Sequence, residues 1–221
     1  MSRRDRNHPS IVMWSIGNEV YDQGKPEGAQ TARFLTEICH DEDPTRPVTA
    51  GFNQAEDAIK NGLADVVDVV GWNYEHFQYE KRFADHPDWI MYGSETESCV
   101  SSRGEYYLPV RDARDVLWPS LPCSAYDVEA PPWGCPAEYE LERQENVPGL
   151  LGQFTWTGFD YLGEPTPHKF EWPSRSSYFG IVDLAGFPKD RYYLYKSVWT
   201  DEPVLHLFQI GRASGRKECR S

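Results

Sequence analysis

Two carboxylates close two short apolar runs: Glu19 ends Trp14-Ser15-Ile16-Gly17-Asn18-Glu19, and Glu95 lies within Tyr92-Gly93-Ser94-Glu95-Thr96-Glu97-Ser98. The residues just before them, Ile11 to Trp14 and Trp89 to Tyr92, have strand composition. A Glu just past a buried strand sits at a rim, where it stays ionisable and can touch a ligand. Two such residues on two strands suit cleavage of a glycosidic bond, which uses one carboxyl as acid/base and another as nucleophile. Glu19 fits the acid/base, whose proton must be retained near neutral pH by partial burial or a neighbouring carboxylate. Trp14 and its strand offer an apolar setting, and Asn18 could donate to a sugar hydroxyl. The alternative is a helix start, with Asn18 as cap and Glu19 favoured by the helix dipole.

The second motif holds two carboxylates, Glu95 and Glu97, which the period-two alternation of a strand would place on one face. Glu95 lies nearer the apolar run and is expected to project into the mouth of the site as the nucleophile. Glu97 is expected in the loop that follows. A third element is Gly71-Trp72-Asn73-Tyr74-Glu75. Tyr74 at a strand end could bond the nucleophile and keep it ionised, with Trp72 and Asn73 in support; otherwise it is a packed Tyr with its hydroxyl in solvent. The fourth element runs from Gln153 to Pro165. There Trp156 is placed as a platform beneath a sugar ring. Asp160 and Glu164 either bond hydroxyls or brace their loop, bracing being preferred.

Positioning these groups calls for strands alternating with helices, hence parallel pairing in the α/β class. Strands are expected at Ile11 to Ser15, Val48 to Gly51, Val66 to Trp72, Ile90 to Ser94 and Leu150 to Trp156. Helices are expected at Glu27 to Cys39, Glu56 to Leu63, Tyr79 to Ala84, Glu138 to Glu145 and Arg191 to Thr200. The stretch from Ser98 to Pro136 lacks a sustained period and reads as an active-site wall. Five such units cannot close an eight-stranded barrel of ~250 residues, so the chain reads as a barrel fragment. Expressed alone, it is expected to be insoluble or inactive, because an open barrel exposes strand edges.

Composition narrows the partners. A net charge of −13 argues against nucleic acid, whose binding depends on clustered Lys and Arg. No apolar run approaches the ~18 to 20 residues of a membrane span. Eight Trp and thirteen Tyr suit a packed core and, weakly, stacking on sugar rings. Five Cys follow no metal spacing. Cys123 and Cys135 could bridge across a Pro-rich loop, although free thiols are preferred.

Together these segments resemble glycoside hydrolase family 2, in particular its β-galactosidases. Asn7-His8-Pro9-Ser10-Ile11-Val12-Met13-Trp14-Ser15-Ile16-Gly17-Asn18-Glu19 is similar to the family's acid/base strand, and Gly93-Ser94-Glu95-Thr96 to its nucleophile strand. Asp43-Pro44-Thr45-Arg46-Pro47-Val48-Thr49 looks like its helix-to-strand link. Tyr178 to Asp190 looks like the segment after its final strand. The resemblance runs from about Asn7 to Phe208. It implies Glu19 as acid/base, Glu95 as nucleophile, Tyr74 as the partner of Glu95 and Asn18 as a contact to the 2-hydroxyl.

The fold implied is a (β/α)8 TIM barrel, C-terminal part only, strands four to eight, with the upstream strands missing. Residues 1–200 would form this partial barrel, 201–209 the start of a downstream β domain and 210–221 a non-native tail. Gln209 to Ser214 resembles the translation of a sequencing adapter. The implied activity is removal of terminal β-D-galactose from an oligosaccharide or glycan by double displacement. Thr96-Glu97 after the nucleophile, and the lack of an Asn-x-Lys element, tilt against an acidic sugar. A β-glucuronidase or β-mannosidase is the alternative within the family; outside it, the alternative is a non-catalytic binding module using Trp156, Trp72 and Tyr74 as platforms. Some family galactosidases hold magnesium beside the acid/base, but its other ligands would lie upstream, so no metal or cofactor is assigned. Neither oligomeric state nor compartment is assigned.

Overall fold

A computed structural model describes residues 1–106, 123–166 and 174–207. Cys219, the tail at 210–221 and the last two residues of 201–209 lie outside them; residues 201–207 contain neither helix nor strand. The chain divides into two compact units, one of Met1–Thr96 with Leu141–Phe154, the other of the remainder.

The first unit alternates strand and helix. In chain order the elements are α1 (Ser2–Asp5), β1 (Trp14–Asn18), α2 (Pro26–Glu42), β2 (Val48–Phe52), α3 (Ala55–Lys60), a 3-10 turn (Ala64–Val66), β3 (Val69–Asn73), α4 (Tyr79–Asp85) and β4 (Ile90–Glu97). After α5 (Ala137–Glu145) comes β5 (Leu150–Trp156). Strand order in the sheet follows chain order, and β1 to β4 pair in parallel. This is the architecture expected of part of a barrel: a five-stranded sheet, backed by helices, whose first four strands run parallel.

Alternation explains the core. Ala50, Phe52, Val70, Trp72 and Met91 face the helices and pack with Ala32, Ala55, Ala58, Leu63 and Tyr79. The other face carries Thr49, Gly51, Gly71 and Asn73, where Thr49 Oγ1 donates to Tyr92 Oη at 3.2 Å. Both faces of β2 and β3 are buried throughout, as parallel strands covered on both sides require.

Several element ends differ from expectation, each for a local reason. β1 starts at Trp14, not Ile11, because the preceding backbone is claimed by a side chain. Arg46 donates to the carbonyls of Arg6 (2.8 Å), His8 (3.1 Å) and Ile11 (2.6 Å), and Val12 is exposed. β3 starts at Val69 because residues 64–66 turn as a 3-10 helix and the Asp68 carboxylate accepts from Val48 N at 2.7 Å. β4 runs three residues past Ser94, to Glu97. α2 extends to Glu42 and is closed by Asp43, whose carboxylate accepts from Trp14 Nε1 (2.9 Å), Thr45 Oγ1 (2.6 Å) and Arg46 Nη1 (2.5 Å).

The second unit is loop-rich, with α6 (Asp190–Trp199) as its long helix and isolated bridges such as Val100 with Glu129. Its apolar cluster is small: Val100, Cys123 and Phe179, with Trp156, Tyr161 and Tyr178 packed on it. Buried charge does much of the rest. Arg191 Nη1 reaches Glu97 Oε1 and Cys99 O, both at 2.7 Å, and Nη2 reaches the carbonyls of Phe179 (2.9 Å) and Gly180 (3.1 Å). Lys189 donates to Asp160 (2.8 Å) and to the carbonyls of Ser101 (2.7 Å) and Tyr178 (3.2 Å). The described parts of 98–136 belong to this unit; residues 107–122 lie outside the described set. Among the described residues, Cys39, Cys99, Cys123 and Cys135 are thiols outside any disulfide. Among the described residues no helix is long and apolar enough to cross a membrane.

Candidate active site

Three strand ends of the first unit converge on one constellation. Asn18 ends β1 and Glu19 follows it, Asn73 ends β3 and Tyr74 follows it, and Glu95 lies near the end of β4. Tyr74 Oη donates to Glu95 Oε1 at 2.7 Å, and Asn18 Nδ2 donates to Glu95 Oε2 at 3.2 Å. Asn73 stands between the two carboxylates. Its Nδ2 reaches Glu19 Oε1 at 2.9 Å, Asn18 Oδ1 at 3.0 Å and Glu95 Oε2 at 3.4 Å.

Backbone irregularities create this convergence. The β1–β2 register shifts between Ser15 and Asn18, and the β3–β4 register shifts so that Asn73 pairs with Glu95 directly after Trp72 pairs with Gly93. Strict alternation would send neighbouring side chains to opposite faces. A bulge cancels that and re-aims a side chain. Ser94 and Glu95, consecutive in the chain, therefore both reach Asn73: Ser94 Oγ donates to Asn73 Oδ1 at 2.6 Å. Glu19 (φ 49°) and Tyr74 (φ 61°) both leave their strands in the left-handed region, a costly conformation for a residue with a Cβ. Such strain persists where surrounding structure imposes it and clusters at functional sites.

The loops behind these residues are fastened. Glu19 N donates to Gly51 O at 2.9 Å and Tyr74 N to Glu95 O at 3.0 Å. Gln23, fully buried, ties Val20 O (3.0 Å) to Asn53 Oδ1 (2.7 Å). Arg82, also buried, grips Glu75 (2.9 Å) just beyond Tyr74. Asn73 is 2% exposed, whereas Glu19 and Asn18 are exposed and Glu95 and Tyr74 half-buried. A buried polar residue thus supports carboxylates that open to solvent.

Three expectations change. Glu97 is not in a loop: it ends β4 in the second unit, fully buried against Arg191 and the Tyr195 hydroxyl. Burial pushes its carboxyl up to about 7 against the pull of Arg191. Alternation from Glu95 fails to describe Glu97, because Glu97 (φ 71°) and Ser98 (φ 54°) turn the chain out of the strand. Trp72 is fully buried, with its ring 6.0 Å from those of Phe52 and Trp89 and its Nε1 donating to Met91 Sδ. It supports the site as core and has no face for a sugar. Trp14 likewise gives Glu19 no apolar setting: it is buried at the opposite end of β1, its indole bonded to Asp43. Over five residues that is roughly 16 Å away.

Trp156 and Asp160 belong to the second unit. Trp156 is half-buried with its ring 5.8 Å from that of Tyr161. Asp160 Oδ1 accepts from Lys189 Nζ (2.8 Å) and Gly180 N (2.7 Å), and Glu164 accepts from the Tyr161 hydroxyl. These are bracing contacts. Sequence reading did not single out Ser94, nor the glycines beside it. A Cβ at Gly51 would come 2.3 Å from Asn18 Oδ1, and one at Gly71 2.6 Å from both Ser94 Oγ and Ala50 O. Glycine in the interior of two adjacent strands was the available signal, since it often marks close approach of other groups.

Residues 1–102 match the family model "Glycosyl hydrolases family 2, TIM barrel domain". Over 93% of its length the chain is 41% identical to β-galactosidase BoGH2A of Bacteroides ovatus, covering 28% of that protein. It is 32% identical over 92% of its length to a putative β-glucuronidase of Formosa agariphila, covering 21% of it. Among solved structures, a β-glycosidase from Bacteroides vulgatus superposes with a TM-score of 0.67 at 33% identity, over 90% of this chain and 27% of that one. The chain spans about a quarter of the length of the relatives it matches. The parallel sheet and these likenesses agree: residues 1–102 belong to the TIM barrel domain of glycoside hydrolase family 2, and the chain is similar to members of that family over about nine-tenths of its length.

Proposed function

We propose that this chain carries the catalytic pair of a retaining glycosidase that removes terminal β-D-galactose, with Glu95 as nucleophile and Glu19 as acid/base. The observation that carries the reading is the sharing of Asn73. Glu19 Oε1 and Glu95 Oε2 lie within 2.9 and 3.4 Å of the same nitrogen, so they are separated by no more than the sum of the two, about 6.3 Å. Inverting enzymes need roughly 6.5 to 9.5 Å between carboxyl groups to admit a water, whereas retaining ones hold them near 5 to 5.5 Å. The bound applies to one oxygen of each carboxylate and is compatible with double displacement.

In the first step the Glu95 carboxylate attacks the anomeric carbon as Glu19 gives its proton to the departing oxygen. In the second, Glu19 takes a proton from water, the hydroxide displaces Glu95, and the carboxylate is restored. Tyr74, Asn18 and Asn73 donate to Glu95, matching the charge it carries before and after each turnover.

Galactose is favoured by the name of the 41% identical relative. A β-glucuronide is the second reading, supported by relatives named β-glucuronidases at 24 to 32% identity over most of the chain and at 42 to 47% over about a third of it. The test uses the full-length protein with aryl β-galactoside, β-glucuronide and β-mannoside. Galactoside should turn over fastest; Glu95→Gln should abolish turnover, and azide should restore it in Glu19→Ala. Turnover surviving Glu95→Gln would overturn the assignment, and preference for the glucuronide would replace the sugar.

A further inference from the structure

Ser94 has a task that its position before the nucleophile does not by itself reveal. Its hydroxyl donates to Asn73 Oδ1 at 2.6 Å. A carboxamide has one accepting end and one donating end. With Oδ1 engaged by Ser94, the NH2 group faces the other way, toward Glu19 Oε1, Asn18 Oδ1 and Glu95 Oε2. The flipped amide would aim a carbonyl oxygen at two carboxylates, and because Asn73 is buried, water is poorly placed to relieve that mismatch. In the observed orientation the buried Oδ1 has its donor in the Ser94 hydroxyl.

The space for this hydroxyl is built into the sheet. A Cβ at Gly71 would come within 2.6 Å of Ser94 Oγ, and one at Gly51 within 3.0 Å of both Ser94 Oγ and Asn73 Oδ1. The register shift in β4 completes the arrangement by letting Ser94 and Glu95 approach Asn73 together. We propose that Ser94 is a positioning residue: by donating to Oδ1 it anchors the Asn73 amide, whose NH2 group holds the acid/base and the nucleophile at their working separation. This rests on the assignment of Glu19 and Glu95 as the catalytic pair.

If Ser94 acts only through Asn73, its loss matters only while Asn73 is present, and a double-mutant cycle reads that dependence. The full-length protein and its Ser94→Ala, Asn73→Ala and doubly substituted forms would be compared on an activated aryl β-galactoside. Expected is a drop in kcat of about tenfold for Ser94→Ala, the scale of one hydrogen bond, with KM within about twofold. In the Asn73→Ala background, Ser94→Ala should change kcat by less than about twofold. Ser94→Cys, similar in size but a weaker donor, should fall between serine and alanine. A fully multiplicative double substitution, or unimpaired Ser94→Ala beside inactive Glu95→Gln, would overturn the proposal alone. Retained turnover in Glu95→Gln would overturn the catalytic assignment and this proposal with it.

Discussion

Removing the Tyr74 hydroxyl should slow one half of the reaction more than the other. Tyr74 Oη donates to Glu95 Oε1 at 2.7 Å. A hydrogen bond to an ionised group is worth about 1.5 to 3 kcal/mol, and one to a neutral group about 0.5 to 1.5. Glu95 is a carboxylate in the free enzyme and an ester in the proposed intermediate. The bond is therefore stronger by about 1 to 2 kcal/mol whenever the carboxylate is present. In the first step that charge is consumed, so the bond favours the ground state at least as much as the transition state. In the second step the charge returns, and the bond stabilises the departing carboxylate. Tyr74→Phe in the full-length protein should thus slow hydrolysis of the intermediate by about 5- to 30-fold. It should leave kcat/KM for an activated aryl glycoside within a few-fold. Consequently kcat and KM should fall together, with a burst of one phenolate per site and a covalent sugar adduct visible by mass spectrometry. Equal losses in kcat and kcat/KM without a burst would refute the reasoning, as would an unchanged kcat.

Two stability predictions concern buried charge. Arg191→Met should cost about 3 to 5 kcal/mol, because it leaves Glu97 and the carbonyls of Cys99, Phe179 and Gly180 without their cation. Since the folded Glu97 titrates at about 7, above its unfolded value, its stabilising contribution is complete at low pH and lost as pH rises through 7. The deficit of Arg191→Met should therefore widen across that window; a flat difference in melting temperature would count against it. Asp43 has the opposite sign. Hydrogen bonds from Thr45, Trp14 and Arg46 hold its carboxyl well below the usual range. Its contribution is present above about pH 4 and lost as pH falls through the folded value. Asp43→Asn should be less stable than wild type at neutral pH, with the gap closing in acid. A gap independent of pH would sink that attribution.

Much of the architecture was legible from the sequence. Composition and punctuation mark runs such as Val66 to Trp72 as strands, and the alternation with helices implies a parallel sheet. Element ends were less legible, because they depend on partners far along the chain. Arg46, not any residue near Ile11, keeps that segment out of β1. Trp72 shows the limit for single residues: a Trp beside a strand end could be platform or core, and only its packing on Phe52 and Trp89 decides. Glu97 shows another, since no local feature announces an Arg ninety-four positions later.

What the sequence determined by itself was the chemistry available: carboxylates at two strand ends, an amide beside one of them, and a tyrosine at a third. Residue type and local periodicity suffice for that, because they act within a few residues. The tertiary structure decided which groups share a centre and how they face it. Two register shifts and the left-handed turns at Glu19 and Tyr74 override the alternation that a lone strand would impose. Bare glycines at 51 and 71 then make room for Ser94 and the two amides. These are properties of neighbouring strands in contact, and no single strand encodes them.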